Sequence, residues 1–433
     1  MTNHSMSDSG TIRTRSELLK LLCEAAELEH GIACSYLYAA FSLKRDISEG
    51  GMTWEEQQRV RRWAAQLYFI ASQEMLHLAL VWNMTTAIGG TPYYLRPNFP
   101  QGTKYYPLNL PIELVPFGCR SLRRFILYEH PQQQSTSHDL KALLKFEGDD
   151  EEEIEFGSVG ELYGLIASAF RNIDEKELFI GSPTQQMTED LVHFPDLVAV
   201  KGRNSALSAI EEITEQGEGR IHHRENSHFE TFVGILKELL ESGASGSRFA
   251  PARSAMRNPS AGNERGYGAN ANPIDDPLAG EVAALFDSVY SLMLRMLAWS
   301  FEFDASGAEQ QLKSFCSAAI DLMPRVLLPL GEGLTLMPAG KKYPGKTAGA
   351  GFGLTRHTSL PPSGNNASLL CHERFRELAT TAERLLGEDL SNPARAGCLH
   401  LLEMADGFDV GVAGIGLGKY ASASRRRGSH HGK

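Results

Sequence analysis

The sequence has few features of several common protein classes. Its six cysteines form no Cys-x-x-Cys pair, which argues against a disulfide framework or a thiolate zinc site and is typical of a reducing compartment. Basic residues are in the minority, with 42 Lys and Arg against 53 Asp and Glu, for a net charge of -11. An acidic chain repels phosphate, so we expect no nucleic-acid partner.

Long apolar runs are also missing. No stretch reaches the roughly eighteen consecutive apolar residues of a membrane helix, and the polar segment Met1–Thr14 lacks the apolar core of a signal peptide. We therefore expect a cytoplasmic protein with no membrane association. We also find no Gly-rich dinucleotide fingerprint and no nucleophile elbow. The chain nevertheless has 433 residues, 42% of them hydrophobic, which suffices for a substantial core.

Apolar residues recur at three- and four-residue steps in four long segments, which predicts amphipathic helices. Thr53 and Glu56 form a capping box at the start of the second segment, and Gly89-Gly90 ends it. The predicted helices span residues 16–43, 53–88, 158–172 and 204–240, the last with a break at 217–219. This pattern indicates an all-α fold built on a four-helix bundle.

The bundle is predicted for residues 14–240, and three further parts follow it. Residues 241–277 are rich in Ser, Gly, Asn and Pro and are predicted to be a flexible linker. A helical extension is predicted for 278–390, and a C-terminal segment with a basic, disordered tail for 391–433. Long Pro- and Gly-rich loops interrupt both helical parts. The Pro- and Tyr-rich stretch 92–116 excludes helix and is expected to form a lid or pocket wall.

Titratable residues interrupt the apolar stripes of the predicted bundle. Glu29 lies in the first stripe, and Glu74 and His77 lie in the second. A buried carboxylate is costly unless it is paired, hydrogen-bonded or bound to a metal. The Glu-x-x-His spacing recurs at Glu225 and His228. The full candidate set of metal ligands is Glu29, Glu74, His77, Glu161, Glu225 and His228.

Two helices with Glu-x-x-His and two with a single Glu form the ligand set of a dinuclear iron or manganese centre in a four-helix bundle. Glu161 is the carboxylate expected from the third helix. Glu211 or Glu215 remains an alternative to Glu225, because the break at 217–219 could change which residues face inward. The predicted cofactor is two iron ions, with manganese as the alternative.

Several motifs, in this order, resemble the bacterial ferritin-like domain family that includes the iminophenylpyruvate dimer synthase of violacein biosynthesis. The resemblance covers about residues 14–240. The motifs are Leu28-Glu29-His30, Gln73-Glu74-Met75-Leu76-His77, Ile88-Gly89-Gly90-Thr91-Pro92, Gly160-Glu161-Leu162-Tyr163, Glu215-Gln216-Gly217-Glu218-Gly219 and Ser227-His228-Phe229. The resemblance implies a ferritin-like bundle, the same six metal ligands, and a role in secondary metabolism.

The leading hypothesis is a non-haem dimetal oxidoreductase that acts with dioxygen or peroxide on a small aromatic or amino-acid-derived substrate. Tyr36 lies about two helical turns from Glu29 and is the candidate catalytic residue, with a packed core tyrosine as the alternative. Two other hypotheses remain: a ferritin-like iron-binding or storage protein, and a non-catalytic scaffold that retains a metal site. A homodimer is one option for its assembly.

Overall fold

A computed structural model describes residues 12–103, 110–131, 138–144, 159–218, 227–244, 248–262, 271–302, 309–354, 360 and 364–412. The described chain forms two compact units. The first contains Met1–Glu189 and Phe194–Arg253, and the second contains most of the chain from Ser254 onward. Almost all of the bundle predicted for residues 14–240 lies in the first unit.

Two long helices form one half of the first unit. Helix α1 spans Arg15–Ser42 and helix α2 spans Trp54–Ala87. Each begins with a capping box, in which a Thr hydroxyl accepts from the backbone of a Glu whose carboxylate accepts from the Thr backbone. The box predicted at the start of the second helix is confirmed. The two helices pack along each other.

Short helices form the other half of the first unit. Helices α3 and α5 both pack on α1, while α8 and α9 both pack on α2; α3 also packs on α9, and α5 on α8. The third and fourth positions of the bundle are therefore each taken by two short helices. The helices of this unit are α3 Cys119–Tyr128, α4 His138–Leu144, α5 Val159–Asn172, α6 Glu175–Leu178, α8 Arg203–Glu218 and α9 His228–Ala244. Helix α7 spans Glu189–Val192, and all of it except Glu189 belongs to the second unit.

The described part of the Pro- and Tyr-rich stretch packs along α1. Gln101 pairs with Ile112 in an isolated antiparallel bridge, and the Gln101 amide donates to the Glu27 carbonyl at 3.2 Å. A Cβ at Gly31 would lie 2.8 Å from Gln101 Oε1, so glycine permits this close approach. Its described residues contact α1 in this way, and none of them lines the pocket at the candidate metal centre described below, so they do not form the expected lid or wall of that pocket.

The second unit is also helical. Its helices are α10 Pro277–Glu302, α11 Glu309–Leu322, α12 Leu328–Leu334, α13 Gly364–Leu385 and α14 Asn392–Val412, with a π-helical turn at Met323–Leu327. Strand β1 (Pro259–Ser260) pairs in parallel with β2 (Asn272–Pro273). Helix α10 is long and apolar enough over Pro277–Phe301 to cross a membrane, but 78% of its most apolar window is buried, as in a core helix.

The described part of the predicted linker is more ordered than the sequence predicted. Within residues 241–277, α9 continues to Ala244, and Met256 and Ser260 are buried. Arg253 is also buried and forms an ion pair with Glu49 at 2.7 Å. Composition predicted a flexible linker, whereas burial and this ion pair give its described residues defined positions.

In the predicted C-terminal segment 391–433, α14 extends to Val412. The basic tail predicted beyond it lies outside the described residues.

Candidate metal centre

Helices α1 and α2 carry the first three candidate ligands into the interior of the bundle. Glu29 on α1 and Glu74 and His77 on α2 are each at most 2% exposed. The spacing of three residues places Glu74 and His77 on the same face of α2. The apolar stripes bring these faces together, so the side chains of the three residues converge.

The other two residues of the centre come from ends of short helices. Glu129 directly follows the last residue of α3, and His228 is the first residue of α9. Both are buried. The centre therefore lies where α3 ends and α9 begins. These two helix ends supply ligands beside those of α1 and α2.

These five residues form two groups that share one carboxylate. Glu29, Glu74 and His77 form the first cluster, and Glu74, Glu129 and His228 form the second; within each, the potential ligand atoms lie within 4.8 Å of one another. His77 Nδ1 is 2.9 Å from Glu74 Oε2, and His228 Nδ1 is 2.8 Å from Glu74 Oε1. Each oxygen of Glu74 thus faces a different imidazole, as a bridging carboxylate would.

The outer carboxylates complete a nearly symmetric arrangement. His77 Nδ1 lies 3.5 Å from Glu29 Oε2, and His228 Nδ1 lies 3.7 Å from Glu129 Oε2. The remaining oxygen of each outer carboxylate accepts a hydrogen bond from a buried tyrosine: Tyr163 donates to Glu29, and Tyr36 donates to Glu129. Each half of the centre therefore contains one imidazole, one outer carboxylate and one oxygen of Glu74.

Two glutamines contact the imidazole nitrogens that face away from the carboxylates. His77 Nε2 is 3.0 Å from Gln216 Oε1, and His228 Nε2 is 3.1 Å from Gln73 Oε1. The Gln216 amide nitrogen donates to Glu212, which fixes the amide oxygen on the His77 side. With an amide oxygen as acceptor, Nε2 carries a proton, which would leave the Nδ1 lone pair of a neutral ring free to bind a metal ion.

The donor atoms fit metal ions. Glu29 Oε2, Glu74 Oε1 and His228 Nδ1 are buried and make no hydrogen bond, although the last two are only 2.8 Å apart. Buried polar atoms left without a hydrogen bond are costly, and a shared cation would satisfy them. Carboxylate oxygen and imidazole nitrogen suit iron and manganese. Three donors in each cluster leave coordination positions for other ligands.

Without a metal, protons balance the carboxylates. Burial raises the pKa of Glu29 to about 7, and burial followed by the charge of Glu74 raises the pKa of Glu129. Burial opposes charge on the imidazoles, but Glu74 and Glu129 raise the pKa of His228 to about 9. Glu74 and Glu29 likewise raise the pKa of His77. A divalent cation would displace these protons when it binds.

Burial alone would raise the pKa of Glu74, but the two imidazoles hold it below its ordinary value. Glu74 is thus the carboxylate that remains ionised between His77 and His228.

The structure brings together four of the six predicted ligands: Glu29, Glu74, His77 and His228. Glu225 lies outside the described residues. Glu161 does not fit the prediction, because it is exposed on the first turn of α5, whose inner face carries Leu162, Tyr163 and Ile166. The carboxylate that reaches the centre on this side of α1 is Glu129.

The other candidates from the sequence lie outside the centre or behind it. Glu211 is exposed and Glu215 is partly exposed on α8, and neither belongs to the two clusters. Tyr36 is buried and reaches the centre through its bond to Glu129. Its ring packs against Phe125 and Phe232, with centroid distances of 4.6 and 4.9 Å. Tyr36 thus combines a core position with a hydrogen bond to a candidate ligand.

A small pocket adjoins the centre. Among the candidate ligands, Glu29, Glu74, His77 and Glu129 line it, and Tyr163 lines it as well. Its other walls are Ile32, Tyr128, Val159, Ile213, Thr214 and Gly217. The pocket is therefore formed by residues of α1, α2, α3, α5 and α8 and of the chain just after α3.

The fold and the site together define a helical-bundle protein with a buried carboxylate and histidine centre. A family model described as Ferritin-like matches residues 22–237, half of the chain. The chain belongs to the ferritin-like family.

Two curated relatives are enzymes by name. The chain is 29% identical over 416 residues to dichlorochromopyrrolate synthase of Lentzea aerocolonigenes, covering 86% of this chain and 39% of the relative. It is 29% identical over 366 residues to 2-imino-3-(indol-3-yl)propanoate dimerase of Chromobacterium violaceum, covering 78% and 34%. The chain thus aligns with less than two-fifths of the length of either relative.

A solved ferritin-like protein from Caulobacter vibrioides is 19% identical, with a TM-score of 0.43. The match covers 70% of this chain and 95% of that protein.

Proposed function

We propose that this chain is a dinuclear, iron-dependent oxidoreductase of secondary metabolism. The observation that carries the proposal is Glu74, whose two oxygens each face a different buried imidazole and which belongs to both clusters. A single carboxylate in this position would bridge two ions. Glu29 and Glu129 would be the outer ligands, and His77 and His228 would supply one nitrogen each.

The surrounding residues would hold this centre in shape. Tyr163 and Tyr36 orient the outer carboxylates, and Gln216 and Gln73 orient the imidazoles. Outer-sphere hydrogen bonds of this kind fix ligand geometry. The bound iron would supply electron transfer to dioxygen or peroxide. The burial of all five ligand residues keeps bulk water away from the centre.

The names of the two relatives suggest the substrate class. One is named as a dimerase of 2-imino-3-(indol-3-yl)propanoate, an indole-bearing imine, and the other as a synthase of dichlorochromopyrrolate. The pocket walls next to the centre include apolar and aromatic side chains such as Ile32, Tyr128 and Ile213, which suit an aromatic ring. We propose an imine derived from an aromatic amino acid as the substrate.

The proposed coupling is a two-electron oxidation. Two substrate molecules form one carbon–carbon bond and each loses one hydrogen, giving two protons and two electrons in total. Dioxygen takes up these protons and electrons to give hydrogen peroxide, or hydrogen peroxide takes them up to give two waters. The chain would work in the cytoplasm on a small molecule, without a nucleic-acid or membrane partner.

The test is iron content combined with oxygen uptake. Protein purified from iron-fed cells should contain two iron ions per chain. It should consume dioxygen beyond the uptake of the amino-acid oxidase alone when that oxidase generates 2-imino-3-(indol-3-yl)propanoate from tryptophan and catalase removes the peroxide that the oxidase forms. Glu74→Gln should lose both the iron and the oxygen uptake, whereas Glu161→Gln, an exposed matched control, should retain both.

Two other results would overturn the proposal in different ways. Elution as a very large particle holding many iron ions per chain would indicate storage. Two irons that stabilise the fold without any oxygen uptake with aromatic imines would indicate a scaffold.

A further inference from the structure

The two halves of the centre have the same chemistry but different surroundings. Each has an imidazole, an outer carboxylate and a tyrosine. The half with Glu29, His77 and Tyr163 adjoins the pocket. The half with Glu129, His228 and Tyr36 faces packed aromatic side chains. This difference bears on where a substrate can reach the centre.

The first half is open to the pocket. Glu29, Glu74 and His77 all line it, and Tyr163, which donates to Glu29, forms part of the same wall. A ligand in the pocket would thus meet the whole first cluster and its tyrosine.

The second half meets this pocket only through Glu129 and the shared Glu74. His228 and Tyr36 do not line this pocket. The rings of Tyr36, Phe125 and Phe232 contact one another, with centroid distances of 4.6, 4.9 and 5.2 Å, and all three residues are at most 1% exposed. Among the described residues, these rings fill the space beside Tyr36.

Glu129 reaches the pocket, but the backbone of α8 stands against it. A Cβ added at Gly217 would lie 3.0 Å from Glu129 Oε2, so the glycine brings the helix close to this oxygen. An incoming ligand would meet α8 before it could approach the second cluster from this side.

Resting on the dinuclear centre proposed above, we infer that exogenous ligands and substrate bind at the Glu29–Glu74–His77 position, in contact with Tyr163, and that the Glu74–Glu129–His228 position is closed to them. Tyr163 is then a substrate-contacting residue, and Tyr36 is a positioning residue that acts through Glu129. The candidate catalytic tyrosine therefore changes from Tyr36 to Tyr163.

A symmetric pair of variants tests this inference, with azide as the probe of iron-loaded protein. His228→Ala removes an imidazole from the second half, and His77→Ala removes its counterpart from the first half. Iron analysis should give about one ion in each variant. Azide titration followed by absorbance should show binding retained in His228→Ala and lost in His77→Ala.

A milder pair covers the case in which a histidine variant loses both ions or fails to fold. Tyr163→Phe and Tyr36→Phe each remove one hydroxyl from an equally buried ring bonded to an outer carboxylate. Tyr163→Phe should weaken azide binding by about tenfold, at the lower end for the loss of an outer-sphere partner. Tyr36→Phe should leave azide affinity unchanged.

Equal azide affinities within the tyrosine pair, or a larger effect of Tyr36→Phe, would overturn the inference. So would an iron-loaded wild-type protein that binds no azide. Oxygen uptake with the aromatic imine, alongside any of these results, would leave the proposed function standing. A chain that binds no iron would instead contradict the proposed function itself.

Discussion

Replacing Glu74 with Gln removes the charge that the two halves of the centre share. Glu74 lies 2.9 Å from His77 and 2.8 Å from His228, and it is the nearest carboxylate to both imidazoles. In the metal-free protein the carboxylates raise the pKa of His228 from its ordinary 6.5 to about 9. That shift corresponds to about 3 kcal/mol of folding stability at low pH.

Most of this stabilisation should disappear in Glu74→Gln. For a unit of about this size, each kcal/mol moves the melting temperature by about 2–4 °C. Metal-free Glu74→Gln should therefore melt about 6–12 °C lower than wild type at pH 6. The difference in melting temperature between the two proteins should shrink as the pH rises through about 9, because His228 of the wild type loses its proton there.

Thermal melts of chelator-treated protein at pH 6 and pH 9, followed by circular dichroism, measure this effect. Glu161→Gln is the control and should melt with wild type at both pH values, since Glu161 is exposed. Equal melting temperatures for Glu74→Gln and wild type at pH 6 would refute the reasoning, as would a gap that widens toward pH 9.

Three further predictions follow from the same structure. Glu129→Gln should lower the iron content from two ions to one, because only the second cluster contains Glu129; unchanged iron would contradict its role. Metal-free wild type should lose stability from pH 6 to pH 9. The stabilisation by protonated His228 is complete below pH 6.5 and is lost as the pH rises through about 9. A melting temperature that rises over this range would contradict this prediction. Burial raises the pKa of Cys371 to about 12 and of Cys398 to about 11. Iodoacetamide at pH 7 should therefore label neither cysteine in the native protein and both in guanidinium. Labelling of the native protein, located by peptide mass spectrometry, would count against their burial.

The long helices and their ligands could be predicted from the sequence. In α1 and α2 the apolar stripes are continuous, so Glu29, Glu74 and His77 stand out as titratable residues on buried faces. The capping residues Thr53 and Glu56 also fixed the start of α2 correctly. Periodicity is informative here because both helices are long and uninterrupted.

The carboxylate from the third position of the bundle could not be predicted in this way. Glu129 follows the ten-residue helix α3, which was not among the helices predicted from the sequence. The longer helix α5 offered Glu161 instead, but its buried face carries Tyr163. The signal for Glu129 was an acidic residue ending the apolar run Phe125–Tyr128.

The outer hydrogen bonds depend on tertiary packing. Gln73 and Gln216 lie 143 positions apart in sequence yet play equivalent roles, each accepting from one imidazole. Nothing in local composition marks a glutamine for this role. Tyr163 likewise appeared in the sequence only as a neighbour of Glu161.

The most direct test of the dinuclear centre is a crystal structure of iron-loaded protein with anomalous data at the iron edge. A dinuclear centre should give two iron peaks about 3.5–4 Å apart, one on each side of Glu74. One peak should lie beside Glu29 and His77, and the other beside Glu129 and His228. A single peak, or iron bound elsewhere without Glu74, would contradict it.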